Sequence, residues 1–383
     1  MTIAELQANE EIRQREFPVC ASKVFLSHAG VCPLPRRVAD AIARHADDCT
    51  RGDQEDAVPK GFTAETRSLA ASLIQSRPDE IAFVGPTSLG LSFVAGGLPW
   101  RRGDNVLVYF NDYPSNVYPW LALAEQGAEV RYLNIRELGK IRLVDVQGQV
   151  DENTRLVALA SCHYISGWRI NVEAIGKFLR SRDILFCVDG IQTLGAMPLS
   201  VGNVDFLAAD AHKWLLGPCA VGILYVRREV RDRLRPIVHG WHNVRSPNFL
   251  TQEDMRYRPD AGRYEAGTHN FAGIFGLRAA LELIHEYGIT EIGLDLVRKR
   301  MSLVEALHQR GYTVLQPAPP PDNIGAIVSF FRPATDMSAI HSRLLDAGVV
   351  SSLRVLPDHT VVIRFSPHFY NTDRELERAV SLL

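Results

Sequence analysis

The chain of 383 residues is 46% hydrophobic and 22% charged, with a formal net charge of −2. Such a composition describes an ordinary globular protein with room for a large core and two domains. It carries no surplus of positive charge for a nucleic acid and no apolar run of the roughly 20 residues needed to span a bilayer.

The opening MTIAELQANEEIRQREF has three Glu in its first eleven positions and resembles neither a signal nor a transit peptide. Six cysteines (Cys20, Cys32, Cys49, Cys162, Cys187 and Cys219) are scattered without CxxC or Cys/His ligand spacing. Cys187 and Cys219 fall in apolar, strand-like runs, where reduced core thiols are expected. A reducing, cytoplasmic setting follows as an expectation.

PRRVADAIARHADD and TAETRSLAASLIQS space their apolar residues as helices do. Strand-like runs then recur as EIAFVG, NVLVYF, AEVRYL, RLVALAS, ILFCVD, DFLAAD and AVGILYV. Alternation of helices with near-continuous apolar strands predicts a mostly parallel sheet covered on both faces, with ligands at the carboxyl ends of the strands. Residues 238 to 264, rich in His, Trp, Arg and Pro, read as a long functional connection. Further on, two helical stretches, the strands AIVSFF and TVVIRFS, and the closing helix TDRELERAVSLL form a different, α+β pattern. The expected division is an N-terminal segment 1–34 contributing to the small domain and the active-site edge, a large domain 35–274 and a small C-terminal domain 275–383.

Chemistry concentrates in FCVDGIQTLG and AADAHKWLLGP. Asp189 ends one apolar run, and a buried carboxylate there needs a positive partner. A protonated ring nitrogen, as in pyridoxal phosphate, would supply it through a charge-assisted hydrogen bond; capping of the following turn is the alternative. Lys213 stands between two apolar runs, where burial favours the neutral amine that attacks an aldehyde. His212 beside it can donate to a phosphate or be structural. In IAFVGPTSLG a strand passes into Pro86, Thr87 and Ser88, which open an apolar helix whose N-terminus suits a phosphate; no Walker A or GxGxxG pattern is present. Tyr113 follows a strand and can stack on a pyridine ring or serve as core. Arg364, inside the apolar strand TVVIRF, needs an anion, either a substrate carboxylate or an internal acid.

From FLSHAGVCPLPRRV to SPHFYNTDRELE, and most specifically in VDGIQTLG and ADAHKWLLGP, the chain resembles the class V aminotransferase family, which includes cysteine desulfurases, kynureninase-like enzymes and epimerases. The resemblance implies an α/β enzyme of pyridoxal phosphate fold type I, like aspartate aminotransferase. A large domain carries a mostly parallel sheet between helices, and a smaller α+β domain follows. It also implies that Lys213 is the Schiff-base lysine and the base at substrate Cα. Asp189 would partner the pyridine nitrogen, and Gln192 would donate to the phenolic oxygen. His212, Thr87 and Ser88 would meet the phosphate, and Tyr113 would take the stacking place. RYEAGTHN supplies the Gly267–Thr268 pair that family members offer to the phosphate of a second subunit, so a homodimer is implied. Arg364 matches the carboxylate-binding arginine and His28 an active-site edge position.

Two departures bear on the reaction. Asp210 stands where many desulfurases place a phosphate-binding Ser. Ser351 and Ser352 occupy the region of the persulfide-forming Cys, and no Cys follows Cys219. The expected activity is therefore a β-eliminating, desulfurase-like lyase acting on an amino acid without a cysteine nucleophile. An aminotransferase or epimerase is the alternative, and an inactive scaffold or a nucleotide-binding protein a remote one. No metal is expected, because His239 and His242 lack a third ligand at helical or hairpin spacing. The basic runs 227–235 and 298–300 read as solvated helix faces.

Overall fold

The structure, a computed structural model, describes residues 1–383 with the side chain of Pro247 excepted. All seven strand-like runs of the first part enter one sheet. In chain order they are β2 (Ile81–Val84), β3 (Asn105–Val108), β4 (Glu129–Tyr132), β5 (Thr154–Ala160), β6 (Leu185–Asp189), β7 (Phe206–Asp210) and β8 (Gly222–Val226); β1 (Val24–Phe25) lies elsewhere. The spatial order is β2-β8-β7-β6-β5-β3-β4. Only β8 runs against its neighbours, so β2 to β7 present their carboxyl ends on one side.

Every residue of β2, β3, β6, β7 and β8 is buried. That explains apolar runs without alternation: helices cover both faces, and successive residues feed two cores. Leu107, Val157, Phe186 and Leu207 join one core, while Val106, Val108, Leu156, Phe206 and Ala208 join the other. The edge strand β4, with the sequence EVRY, is partly exposed, as suits a sheet margin. One helix, Thr87–Gly97, packs unusually close to the sheet. A Cβ on its Gly90 would stand 2.8 Å from the Cβ of Ala208 in β7, so only glycine admits the approach.

The second part builds an antiparallel sheet ordered β12-β13-β10-β9 from β9 (Thr313–Val314), β10 (Val328–Phe331), β12 (Ser352–Val355) and β13 (Val361–Phe365). Its separate core includes Leu303, Phe330, Ile363, Phe365 and Leu376. β1 pairs in parallel with β11 (Val349–Val350), so Val24 and Leu26 join this lobe, while Leu6 and Phe17 earlier in the N-terminal segment pack into the large core. The helix Phe271–Tyr287 packs on the helices Arg36–Asp48 and Phe62–Leu73 of the large lobe. By packing, we place the division between lobes at Gly288, past the 274/275 expected from composition.

Three expectations about surface and strand positions are corrected. Lys299 and Arg300 are buried: Lys299 bonds Asp295 and the carbonyl oxygens of His368 and Phe369, and Arg300 bonds those of Ile327 and Gln316. They sit midway along the helix Ile289–Gln309, which links the two cores, and periodicity cannot tell a solvated cation from one satisfied by carbonyl oxygens. Arg231 is likewise buried, between Asp79 and the Pro259 carbonyl. Cys219 is exposed in the loop before β8 rather than in a strand.

Candidate active site

The parallel strand ends converge on a cavity of about 360 Å³, lined by residues at or just beyond the ends of β2, β6 and β7, by residues of β12 and β13, and by the segment 29–31. Asp189 is the last residue of β6, and Lys213 lies three positions beyond β7, which pairs with β6 in parallel. Both line the cavity, at 2% and 7% exposure. Asp189 Oδ1 accepts a hydrogen bond from the backbone of Ile191 at 3.0 Å, so the turn-capping reading holds for one oxygen. Burial pushes the Asp189 carboxyl above its usual range, and the nearby Asp112 adds to that, against the opposing charge of Lys213. Burial likewise lowers the Lys213 ammonium; Asp189 opposes this, and the like charges of Arg364 and Arg354 reinforce it. The Lys213 amine lies 5.1 Å from the centre of the Tyr113 ring, whose backbone N–H is fixed by Asp112 Oδ1 at 2.7 Å.

At one end of the cavity stand Pro86, Thr87 and Ser88, at the start of the helix Thr87–Gly97. Its N-terminal N–H groups have no intrahelical partner. Thr87 Oγ1 accepts from the backbone N–H of Asp210 at 2.9 Å, which leaves its hydroxyl proton free to donate. Ser88 donates to Ser115 Oγ at 2.9 Å. His212 lines the cavity, and its Nδ1 lies 3.0 Å from Asp210 Oδ2, out of line for a hydrogen bond. Asp210 itself faces away: its carboxylate accepts from the backbones of Ala211 and Ala220. It backs His212 and does not line the cavity.

At the other end, alternation along β13 sends Ile363 and Phe365 into the small-lobe core and Arg364 to the opposite face. Arg364 is 1% exposed; it donates to the Tyr164 carbonyl at 2.6 Å and to Ser352 Oγ at 3.3 Å, and its Nε has no partner. Burial and the charge of Arg354 lower its pKa to about 9. Among the described residues no Asp or Glu pairs with it, so the internal-acid alternative is not what this arginine meets. Gln192 is oriented by the Trp214 indole, which donates to its Oε1 at 2.9 Å, while its Nε2 donates to the Ala29 carbonyl at 3.1 Å and keeps a second N–H.

Besides Asp210, two more sequence candidates lie outside this cavity. His28 is fully buried behind it, with Nδ1 2.9 Å from the Ser366 carbonyl and Nε2 2.7 Å from the Tyr370 hydroxyl; its neighbours Ala29 to Val31 reach the cavity instead. Thr268 lines two neighbouring cavities with His269. Behind it, Glu265 accepts both Nη groups of Arg67 at 2.6 Å, the backbone N–H of Phe83 at 2.6 Å and His269 Nε2 at 2.9 Å. His242, Glu265 and His269 hold ligand atoms within 4.8 Å of one another. The Glu265 oxygens are already spent on a guanidinium, so this cluster is an ion-pair hub, and His242 has neighbours that linear spacing did not reveal.

Sequence reading missed Arg354, Tyr164 and Asp112, the first two of which line the cavity. Asp112 adjoins Tyr113 in NDYPSN, a signal that was available. Arg354 and Tyr164 lie in short strands and turns with no pattern of their own.

These groups fit pyridoxal phosphate. An Asp189 oxygen without a cation, an unbonded lysine amine, an aromatic face and free N–H and O–H donors at a helix N-terminus match its ring nitrogen, aldehyde, ring and phosphate. The model of the aminotransferase class-V family matches residues 24–379. A probable cysteine desulfurase of Methanothermobacter thermautotrophicus is 30% identical over 390 residues, covering 96% of this chain and 95% of that one. Among solved structures, the apo cysteine desulfurase of Thermococcus onnurineus NA1 superposes with a TM-score of 0.87 at 24% identity, covering 97% of this chain and 96% of that chain. A cystine C-S lyase in complex with its product cysteine persulfide does so at 0.84 and 23%, covering 95% of this chain and 98% of that one.

Proposed function

Because this chain belongs to the class V aminotransferase family of pyridoxal phosphate enzymes, we propose that it is a lyase that breaks the Cβ–S bond of a sulfur amino acid without a cysteine nucleophile of its own. The observation that carries the reading is one cavity holding the buried Lys213, Asp189 and an acid-free Arg364, while no cysteine lines it among the described residues. The names of the relatives, desulfurases and a cystine C-S lyase, support C–S chemistry.

When bound, the cofactor supplies an electron sink for charge developing at substrate Cα. Arg364 would grip the substrate carboxylate with its planar fork and so fix which Cα bond is presented. Lys213, held toward its neutral form by burial, would take the Cα proton. Asp189 would hold a proton at the ring nitrogen, and the ion pair so formed would restore Asp189 to its ionised state. Tyr113 would cover one ring face, the Gln192 N–H would meet the phenolic oxygen, and Thr87, Ser88 and His212 would meet the phosphate.

The same reading includes a homodimer in which Gly267 and Thr268 reach the partner's phosphate site. Exposed Ile237, Val238, Trp241, Phe249 and Leu250 in the adjoining connection supply an apolar face for it. No helix among the described residues is long and apolar enough to cross a membrane.

The test is to supply a panel of amino acids with no keto acid acceptor and to assay keto acid and released thiol or sulfide. Both products accumulating over many turnovers is the expected result. Keto acid stopping at one equivalent per site marks an aminotransferase and overturns the lyase assignment. A stoichiometric persulfide on the protein after cysteine turnover overturns the cysteine-free mechanism.

A further inference from the structure

Two arginines face the cavity of Lys213 with no acid between them. Ser352 pairs with Arg364 across β12 and β13, and Arg354 pairs with Val362. Arg354, two residues beyond Ser352, therefore projects from the same face as Arg364; diagonal neighbours of this kind stand roughly 7–8 Å apart. Both line the cavity. The Arg354 side chain has one hydrogen bond, from Nη1 to the carbonyl of Leu353 at 2.8 Å. Like charges at this separation repel, and each lowers the stability of the other's charged form unless an anion lies between or beside them. Serving one substrate carboxylate needs one of them. The other is left beside the cavity with a single hydrogen bond, to a backbone carbonyl, and among the described residues no Asp or Glu pairs with it.

Resting on the lyase reading for the role of Arg364, we propose that Arg354 is a specificity-determining residue that binds a second carboxylate, at the far end of the substrate's side chain. The substrate class is then an amino acid whose sulfur carries a chain ending in a carboxylate. The planar, two-oxygen geometry of that group matches a guanidinium fork.

Glutarate and butyrate, which cannot turn over, separate this inference from the reaction. Titrated calorimetrically into the holoenzyme, glutarate should bind about ten-fold or more tighter than butyrate, the contribution of hydrogen bonds to a charged group. Arg354→Gln should bring the ratio to within about two-fold, and Arg354→Lys, which keeps the charge, should retain part of it. A native ratio near one, or a ratio that survives in Arg354→Gln, overturns the proposal. If the glutamine variant does not fold, Arg354→Lys decides the matter, and a ratio in it as large as the native one overturns the proposal equally. In turnover, S-carboxyethyl-cysteine should outpace S-propyl-cysteine in kcat/KM by a similar factor, and Arg354→Gln should remove the difference. If neither is cleaved while glutarate keeps its preference, the lyase assignment fails and the second anion site stands.

Discussion

Removing the charge of Glu265 should destabilise the protein in a way that depends on pH. The carboxylate is 4% exposed and accepts Arg67 through both Nη groups, with Phe83 and His269 completing its shell. Burial alone would raise its pKa; the hydrogen bond from His269 and the charge of Arg67 outweigh that and hold it at about 2. Against an unfolded value of about 4.3, the shift corresponds to about 3 kcal/mol at neutral pH. Breaking a buried pair by removing one partner costs about 3–5 kcal/mol, which agrees. With an unfolding entropy of about 2 cal/mol/K per residue, Glu265→Gln should lower the melting temperature by about 4–6 °C at pH 7. The folded pKa is depressed, so the stabilisation is complete above the unfolded pKa and disappears as pH falls through about 2. The gap between wild type and variant should therefore narrow at pH 3 to less than half its neutral value. Thermal unfolding at both pH values measures this. A loss under about 1 °C at pH 7, or a gap that stays constant with pH, would refute the account of Glu265 as the anchor beneath Gly267 and Thr268.

Other outcomes are expected at the cavity and behind it. Borohydride treatment of the holoenzyme should label the peptide containing Lys213, and Lys213→Ala should abolish both the label and turnover, read by peptide mass. Arg364→Lys keeps the charge but loses the planar fork, so KM should rise by about ten-fold or more while kcat changes less. His28 is fully buried, which lowers its pKa to about 3. Its unfolded pKa lies near 6.5, so acidification protonates the unfolded chain first, and stability falls from about pH 6.5 downward by about 1.4 kcal/mol per pH unit. His28→Gln should flatten the stability–pH slope between pH 5 and 6 by that amount, as read by urea unfolding.

The residues legible in the sequence were those whose surroundings contradict their chemistry. Asp189 and Lys213 stand out because charge ends or interrupts apolar runs that only a buried sheet explains, and Arg364 stands out for the same reason in β13. Thr87 was legible through the strand-to-helix passage, yet not the close packing at Gly90 that brings it to Asp210. What stayed hidden depends on contacts between distant segments. His28 carries a motif-like position, but its two nitrogens are taken by Ser366 and Tyr370, which no local spacing reveals. Lys299 and Arg300 look like surface cations because carbonyl oxygens, present in every residue, leave no compositional trace as partners. Arg354 has an ordinary local sequence; register with Ser352 and Arg364 gives it a role.

The pairing of β1 with β11 bears on how the chain acquires its shape during synthesis. Ser27 and Ser352 meet at 2.6 Å across 325 residues of sequence. Closure entropy for so long a loop is offset only when strands from the end of the chain already exist to receive it. A nascent chain can assemble its seven-stranded sheet on the ribosome, but Ala29 to Val31 stay without their neighbours Arg354 and Arg364 until the final hundred residues emerge. Cofactor capture and maturation of the small lobe should then be late, coupled events, and a pulse-labelled chain stalled before residue 349 should carry Lys213 in a folded sheet beside a pocket with one wall open.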